Sequence, residues 1–194
     1  ASAWADYDED GDLDLAVNTT LYRNDAGTFT NAGLNLVSLT ANHFAWVDFD
    51  SDGDTDVVSS SAHEYGVWWY EQKFDSNKNS YFVTHTIDST FSESHSLVLE
   101  DVNRDGLPDL ITGKRFFSHQ GRGPGGLEPA VLYWFELLKD GQQRPVWVKH
   151  LIDDTSGVGI QFVSDDMNKD GMLDIIIGNK NGVFLFEQLA PKNH

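Results

Sequence analysis

The stretch DVNRDGLPDL, residues 101–110, places three aspartates and one asparagine at alternate or nearly alternate positions around a glycine. The same arrangement recurs as DYDEDGDLDL (6–15), DFDSDGDTDV (48–57) and DMNKDGMLDI (166–175). All four copies follow the pattern D-x-[DN]-x-D-G-x-x-D-[LIV], and they start 42, 53 and 65 residues apart. A repeat period of roughly 40–50 residues is typical of solenoids and propellers, so the chain is expected to be a repeat protein.

The segments around each acidic run favour strands. Short apolar runs such as FAWV (44–47) precede the run, runs such as LITG (110–113) follow it, and aromatic segments such as GVWWYEQ (66–72) come next. Strand-length apolar segments separated by turns indicate β-structure. Four antiparallel strands per unit, repeated radially, make a β-propeller blade. We therefore predict an all-β fold of β-propeller blades built on four antiparallel strands, with four repeats in this chain.

The predicted blades form a single domain over residues 1–194. Their approximate limits are 1–38, 39–90, 91–155 and 156–194, and the last blade lacks its outer strand. We expect the chain to be part of a larger propeller of about seven blades. Two alternatives stay open: a four-bladed ring with a ragged seam, and a ring completed by association with another chain.

Composition excludes several classes of function. The 194 residues contain no cysteine, which excludes disulfides, thiolate metal sites and cysteine nucleophiles. The formal net charge of −18 disfavours binding to nucleic acid. No apolar run approaches the length of a membrane span, so membrane insertion is not expected.

Carboxylates crowded in this way are tolerable when a cation neutralises them, and calcium, which takes 6–8 oxygen ligands, is the natural candidate. Positions 1, 3, 5 and 9 of each loop would offer side-chain oxygens, position 7 its backbone carbonyl, and the glycine at position 6 permits the sharp turn. Up to four calcium ions are predicted, one in each loop. The predicted ligands are Asp6, Asp8, Asp10, Asp12, Asp14, Asp48, Asp50, Asp52, Asp54, Asp56, Asp101, Asn103, Asp105, Leu107, Asp109, Asp166, Asn168, Asp170, Met172 and Asp174.

An EF-hand is excluded because it requires a glutamate at position 12 and flanking helices, whereas these flanks favour strands. The chain instead resembles the FG-GAP/VCBS-repeat propellers, which include the calcium-binding blades of integrin α subunits. The segments WVDFDSDGDTDVV (46–58) and LEDVNRDGLPDLITG (99–113) carry the resemblance. The Phe-Gly and Gly-Ala-Pro pieces of the integrin repeat are not present, so the VCBS branch is the better match. The resemblance implies calcium in the hairpin between the first two strands of each blade.

A second group of candidate residues is expected at the opposite side of the blades. Four histidines map there, and so does the longest insertion, residues 113–130, which brings cations into an acidic chain. His43, His95 and Gln161 occupy matching positions before the innermost strands of three blades. The candidate catalytic or binding residues are His43, His63, His95, Lys114, Arg115 and His119. A sugar or acidic ligand beside aromatics such as Phe116 and a histidine metal site are both compatible with this set.

Three functions are compatible with this pattern. The first is a calcium-stabilised binding or adhesion module with a carbohydrate or protein ligand, located outside the cell, at its surface or in the periplasm. The second is a propeller enzyme that acts on sugars as a lyase or dehydratase through the His/Lys/Arg set. The third is a subunit that completes a propeller with another chain.

Overall fold

The structure is a computed structural model that describes residues 2–17, 20–35 and 41–190. Within these residues the chain forms four antiparallel sheets, each with its strands in sequence order. The strands are β1 (Ser2–Ala5), β2 (Asp14–Val17), β3 (Thr20–Asp25), β4 (Thr28–Asn35), β5 (Ala41–Val47), β6 (Asp56–Ser61), β7 (Tyr65–Phe74), β8 (Ser80–Ser92), β9 (Leu97–Glu100), β10 (Asp109–Gly113), β11 (Leu132–Lys139), β12 (Pro145–Asp153), β13 (Phe162–Asp165), β14 (Asp174–Asn179) and β15 (Gly182–Phe186). Helical structure in the described residues is limited to one 3₁₀ turn, Ser118–Gly121.

The predicted all-β fold with blade-like sheets is confirmed. Blades 1, 2 and 3 have four strands each, β1–β4, β5–β8 and β9–β12, while blade 4 has the three strands β13–β15 among the described residues. Strand β8 continues to Ser92 and so extends past the predicted limit at residue 90. No described helix is long and apolar enough to cross a bilayer.

Blades pack face to face through apolar residues of their inner three strands. Between blades 2 and 3 the core contains Val58, Trp69, Leu110 and Phe135, and between blades 3 and 4 a second cluster includes Ile177. The second loop position, predicted to pin each turn to the core, is buried at Phe49. It is 39% exposed at Met167. Met167 lies in blade 4, after which no further blade follows in the described chain to cover it.

Side chains from each following blade also hold the acidic turns. The backbone carbonyl of the second loop residue accepts a hydrogen bond from the next blade in all three pairs. Gln72 Nε2 donates to the carbonyl of Tyr7 at 2.7 Å, and Gln188 Nε2 donates to the carbonyl of Val102 at 3.0 Å. In blade 3 a leucine replaces this glutamine, and Lys139 Nζ donates to the carbonyl of Phe49 instead. The innermost strands β1, β5, β9 and β13 contact one another in succession.

Candidate metal centres and the opposite end of the blades

The four acidic loops are loop 1 (6–14), loop 2 (48–56), loop 3 (101–109) and loop 4 (166–174), and they adopt one backbone conformation. The residue at position 4 has a left-handed φ of 60° to 65°, and the glycine at position 6 has a φ of 83° to 99°. A side chain at position 6 would be strained, which explains the glycine in every copy. These two left-handed residues turn alternate side chains of each loop inward.

The carboxylates at positions 1 and 5 of each loop accept backbone hydrogen bonds that close the turn. The glycine N–H donates to the position 1 carboxylate at 3.0 Å in loop 1, 3.1 Å in loop 2, 2.9 Å in loop 3 and 2.8 Å in loop 4. The position 5 carboxylate accepts the backbone N–H of position 7 at 2.8 Å to 3.0 Å in all four loops. Because each of these carboxylates retains oxygen lone pairs, the same groups remain able to ligate a cation.

The carboxylate at position 9 links each loop to the third strand of its own blade. Asp56 accepts the backbone N–H of Phe49 at 3.1 Å and that of Gln72 at 2.8 Å, and its side chain is fully buried. Burial raises the pKa of Asp56 to about 7, although these hydrogen bonds oppose the shift. The equivalent Asp14 and Asp109 make the same pair of bonds, and burial also raises their pKa values.

In loops 1 and 2 the carboxylates at positions 1, 3 and 9 lie close together. Oxygens of Asp6, Asp8 and Asp14 lie within 4.8 Å of one another, as do those of Asp48, Asp50 and Asp56. Asp8 Oδ1 is buried and has no hydrogen-bond donor. Burial and the neighbouring Asp14 and Asp10 raise the pKa of Asp8. A buried acceptor without a donor, beside two further carboxylates, fits the oxygen-rich environment that calcium takes.

Loop 2 differs from loop 1 because a lysine from its own third strand reaches it. Lys73 Nζ lies 2.7 Å from Glu71 Oε1, 3.0 Å from Asp52 Oδ2 and 3.4 Å from Asp50 Oδ2. Burial alone would lower the pKa of Lys73, but the contacts with Glu71 and Asp52 raise it. In loop 1 the nearest cation is Arg23, whose Nε lies 4.0 Å from Asp8 Oδ2 while the guanidinium bonds to Asp25.

In loops 3 and 4 an asparagine at position 3 relieves the repulsion internally. Asn103 Nδ2 donates to Asp105 Oδ2 and to Glu136 Oε1, both at 3.0 Å. Asn168 Nδ2 donates to Asp170 Oδ2 at 3.0 Å. An uncharged amide that donates to a neighbouring carboxylate leaves less negative charge in the loop for a cation to neutralise. We therefore expect these loops to bind calcium less tightly than loops 1 and 2.

The third-strand glutamates are site residues that the sequence reasoning missed. Glu71 and Glu136 follow the aromatic run of their blades, and each contacts position 3 of its loop: Glu71 shares a side-chain hydrogen bond with Asp50, and Glu136 accepts one from Asn103. Each also accepts from an outer-strand histidine at 2.8 Å, Glu71 from His85 and Glu136 from His150. The signal was present as the repeated aromatic–Glu pair, but the strand register that aims it at the loop is a tertiary feature.

The opposite end of the blades brings most of the predicted histidines together. His119 Nε2 lies 2.9 Å from His63 Nδ1, and the ring centres of His63 and His95 are 5.4 Å apart. Arg115 Nη1 donates to His95 Nε2 at 3.2 Å, which requires an unprotonated nitrogen there. Burial, followed by the charge of Arg115, lowers the pKa of His95 to about 4. We call His63, His95, Arg115 and His119 the histidine cluster.

Two further candidates at this end have different surroundings. Lys114 Nζ forms a 2.9 Å ion pair with Glu93 Oε2, and both side chains are almost completely buried. The Lys114 ammonium therefore neutralises Glu93 and is not presented to solvent. His43 lies within β5 and not before it, where it was predicted, because β5 begins at Ala41. It is half-buried, and burial lowers its pKa.

Comparison with protein families identifies the repeat. The model of the FG-GAP-like repeat matches residues 48–112, a range that contains loops 2 and 3 and the strands β6 to β9 between them. A search among curated proteins returned no match for this chain. The predicted VCBS branch stays a prediction, because the match identifies only the broader repeat.

Proposed function

From the match of the FG-GAP-like repeat to residues 48–112, we propose that this chain is a calcium-stabilised binding or adhesion module that works outside the cell, at its surface or in the periplasm. Calcium binds in the four acidic loops, most tightly in loops 1 and 2. The ligand, a carbohydrate or a protein, binds at the opposite end of the blades, where the histidine cluster lies.

The observation that carries this proposal is the unsatisfied charge of loop 1. Asp8 Oδ1 is buried without a donor, and Asp6 and Asp14 place carboxylate oxygens within 4.8 Å of its ligand atom. Burying a carboxylate that lacks a partner is costly, so a bound cation stabilises the folded chain selectively. Extracellular calcium modules bind with dissociation constants of about 10⁻⁴–10⁻³ M, which suits a surface protein.

A thermal melt with calcium and with a chelator tests the metal part of the proposal. At a calcium concentration of about 100 times Kd, one site stabilises by roughly 2.7 kcal/mol. This corresponds to an increase in Tm of about 5–10 °C for a chain of this size. The double variant D8N/D50N is expected to lose most of the shift, while E9Q, an exposed charge in the same loop, retains it. An identical Tm for the wild type with and without calcium would exclude calcium stabilisation.

The histidine cluster supports a second candidate, an enzyme that acts on sugars. His63 and His119 share a 2.9 Å hydrogen bond beside Arg115 and the neutral His95, and paired imidazoles of this kind can relay a proton to or from a substrate. Incubation with a panel of polysaccharides, followed by detection of unsaturated or shortened products, tests this candidate. Turnover that disappears in H63Q and H119Q would favour the enzyme over the binding module.

A further inference from the structure

A cavity of about 490 Å³ lies at the junction of blades 3 and 4, beside the histidine cluster. Its volume is in the range of sites that bind small molecules. Six side chains line it: Arg115, Phe116, Ile160, Gln161, Asn179 and Lys180. We call it the basic cavity.

The charge of the basic cavity is opposite to that of the chain. Its charged lining residues are Arg115 and Lys180, both cationic, although the chain has a formal net charge of −18. Arg115 uses one of its five N–H groups on His95 Nε2. Lys180 is exposed, and its Nζ lies 3.3 Å from the carbonyl of Phe117. Two cations in one cavity of an acidic protein favour an anionic ligand.

The cavity walls are fixed before any ligand arrives. The Arg115 N–H donates to the carbonyl of Glu93 at 3.0 Å, and the Val158 N–H donates to the carbonyl of Lys114 at 2.9 Å. Arg115 and Val158 form a parallel β-bridge that joins blade 3 to the start of blade 4. A preformed frame lowers the entropic cost of binding, so a small ligand with few contacts is sufficient.

The remaining lining offers an aromatic surface and polar groups. Phe116 is half-buried, and Gln161 is exposed at the position that matches His43 and His95 in the preceding blades. The amide of Asn179 is held by Ser156 and Asn181, donating at 2.7 Å and accepting at 2.8 Å, and so shapes the wall. An aromatic ring with a few placed polar groups suits a sugar ring with hydroxyls.

We propose that the basic cavity binds a carboxylate-bearing sugar, with the carboxylate held by Arg115 and Lys180 and the sugar ring packed on Phe116. The fork of an arginine matches a carboxylate, and two cations, one already shared with His95, suit a monoanion. The inference rests on the proposed function, because it names the ligand class of the end opposite the acidic loops.

Titration calorimetry with D-galacturonate, D-galactose and acetate at saturating calcium and constant ionic strength tests the proposal. D-galacturonate is expected to bind about tenfold or more tightly than either of the others, since it alone supplies both the carboxylate and the ring. Equal binding of D-galactose would overturn the role of the cations. Equal binding of acetate would overturn the role of the sugar ring.

Three variants locate the binding. K180Q is expected to weaken D-galacturonate binding severalfold. K78Q makes the same charge change at an exposed residue of blade 2, at the end with the acidic loops, and should leave the binding unchanged. G178L places a side chain where a Cβ meets no atom within 4 Å and φ is unstrained, so it obstructs the cavity without disturbing the fold. Binding that survives both K180Q and G178L would overturn the assignment to this cavity.

The calcium melt of the same samples reports separately on the loops. A normal calcium shift without D-galacturonate binding would overturn the basic cavity proposal and leave the metal sites supported. Binding of D-galacturonate without a calcium shift would support the cavity and remove calcium from the proposed function.

Discussion

The two ends of the blades crowd charges of opposite sign and make them tolerable in different ways. At the acidic end, backbone N–H groups hold the carboxylates, as when Gly53 donates to Asp48, and the charges themselves remain. At the basic end the charges are reduced: His95 is kept neutral, and Lys114 is paired with the buried Glu93. The acidic end therefore retains the negative charge that the proposed calcium would neutralise, and the basic end retains Arg115 and Lys180, the two cations of the proposed anion site.

The acidic end also contains its own comparison. Loop 1 retains an unsatisfied carboxylate oxygen on Asp8, loop 2 is partly neutralised by Lys73, and loop 3 uses the amide of Asn103. The same backbone turn therefore carries three levels of residual charge. We expect calcium affinity to follow that order, highest in loop 1.

The largest effect is expected from D56A, which separates the structural role of position 9 from calcium binding. The change leaves the buried N–H groups of Phe49 and Gln72 without acceptors, at a cost of roughly 2–5 kcal/mol. Urea unfolding in chelator measures it. The matched control is D54A, because position 7 offers the ion its backbone carbonyl and not its side chain. Equal stability of the two variants would contradict the role given to Asp56.

The next effect concerns the basic end and its response to pH. Because the pKa of His95 is about 4 in the folded chain and near 6.5 unfolded, the unfolded state binds more protons between these values. Stability should therefore rise as pH rises from about 4 to 6.5, by up to about 3 kcal/mol. The groups that face His95 are Arg115, His63, His43 and His119.

The difference between wild type and H95Q isolates this response from the titration of the carboxylates. The variant should lose the part of the pH dependence that belongs to His95, as measured by urea unfolding at a series of pH values. An identical pH profile for the two proteins would show that His95 titrates normally, and the contrast between the ends would fail.

The third test gives loop 3 an aspartate at position 3, as in loops 1 and 2. N103D removes hydrogen bonds to Asp105 and Glu136 and adds a like charge, so the calcium-free chain should lose roughly 1–3 kcal/mol. Calcium should bind the new loop more tightly, as measured by calorimetry. N168D should have a smaller cost, because Asn168 donates to Asp170 but not to a third-strand glutamate. A more stable calcium-free N103D would contradict the role given to the Asn103 amide in relieving repulsion in loop 3.

The smallest effect is expected from K73M, which removes the tethered cation of loop 2. Calcium affinity should rise by roughly three- to tenfold, or about 1 kcal/mol, because Asp50 and Asp52 no longer share their charge with Lys73. The control is K149M, a lysine whose partner Asp88 lies outside the loops. Weaker calcium binding in K73M would mean that Lys73 helps to organise loop 2 for the ion.

Much of this organisation could be predicted from the sequence, because each acidic turn specifies its own hairpin. The glycine at position 6 and the alternating apolar strands around it predict the blade locally, and Gly53 and Phe49 behave as expected. Contacts that cross strands or blades were not predictable. Lys73 and Glu71 reach loop 2 only through strand register. Lys139 takes in blade 3 the role that Gln72 and Gln188 have in blades 2 and 4.

The histidine cluster was predictable in part. Matching positions before the inner strands predicted that His43 and His95 share one end of the blades, and the insertion was expected there too. The pairing of Lys114 with Glu93 was missed, because Glu93 appears in the sequence as an ordinary loop residue. Its buried position depends on how residues 113–130 fold back over it.

The most direct test of the central claim is a crystal structure in millimolar calcium, with the anomalous signal used to identify the ions. We expect an ion in loop 1 that is ligated by Asp8 and its neighbouring carboxylates at about 2.3–2.6 Å, with loop 2 next in occupancy. Loop 1 without an ion, while Asp8 Oδ1 stays buried and unpartnered, would contradict it.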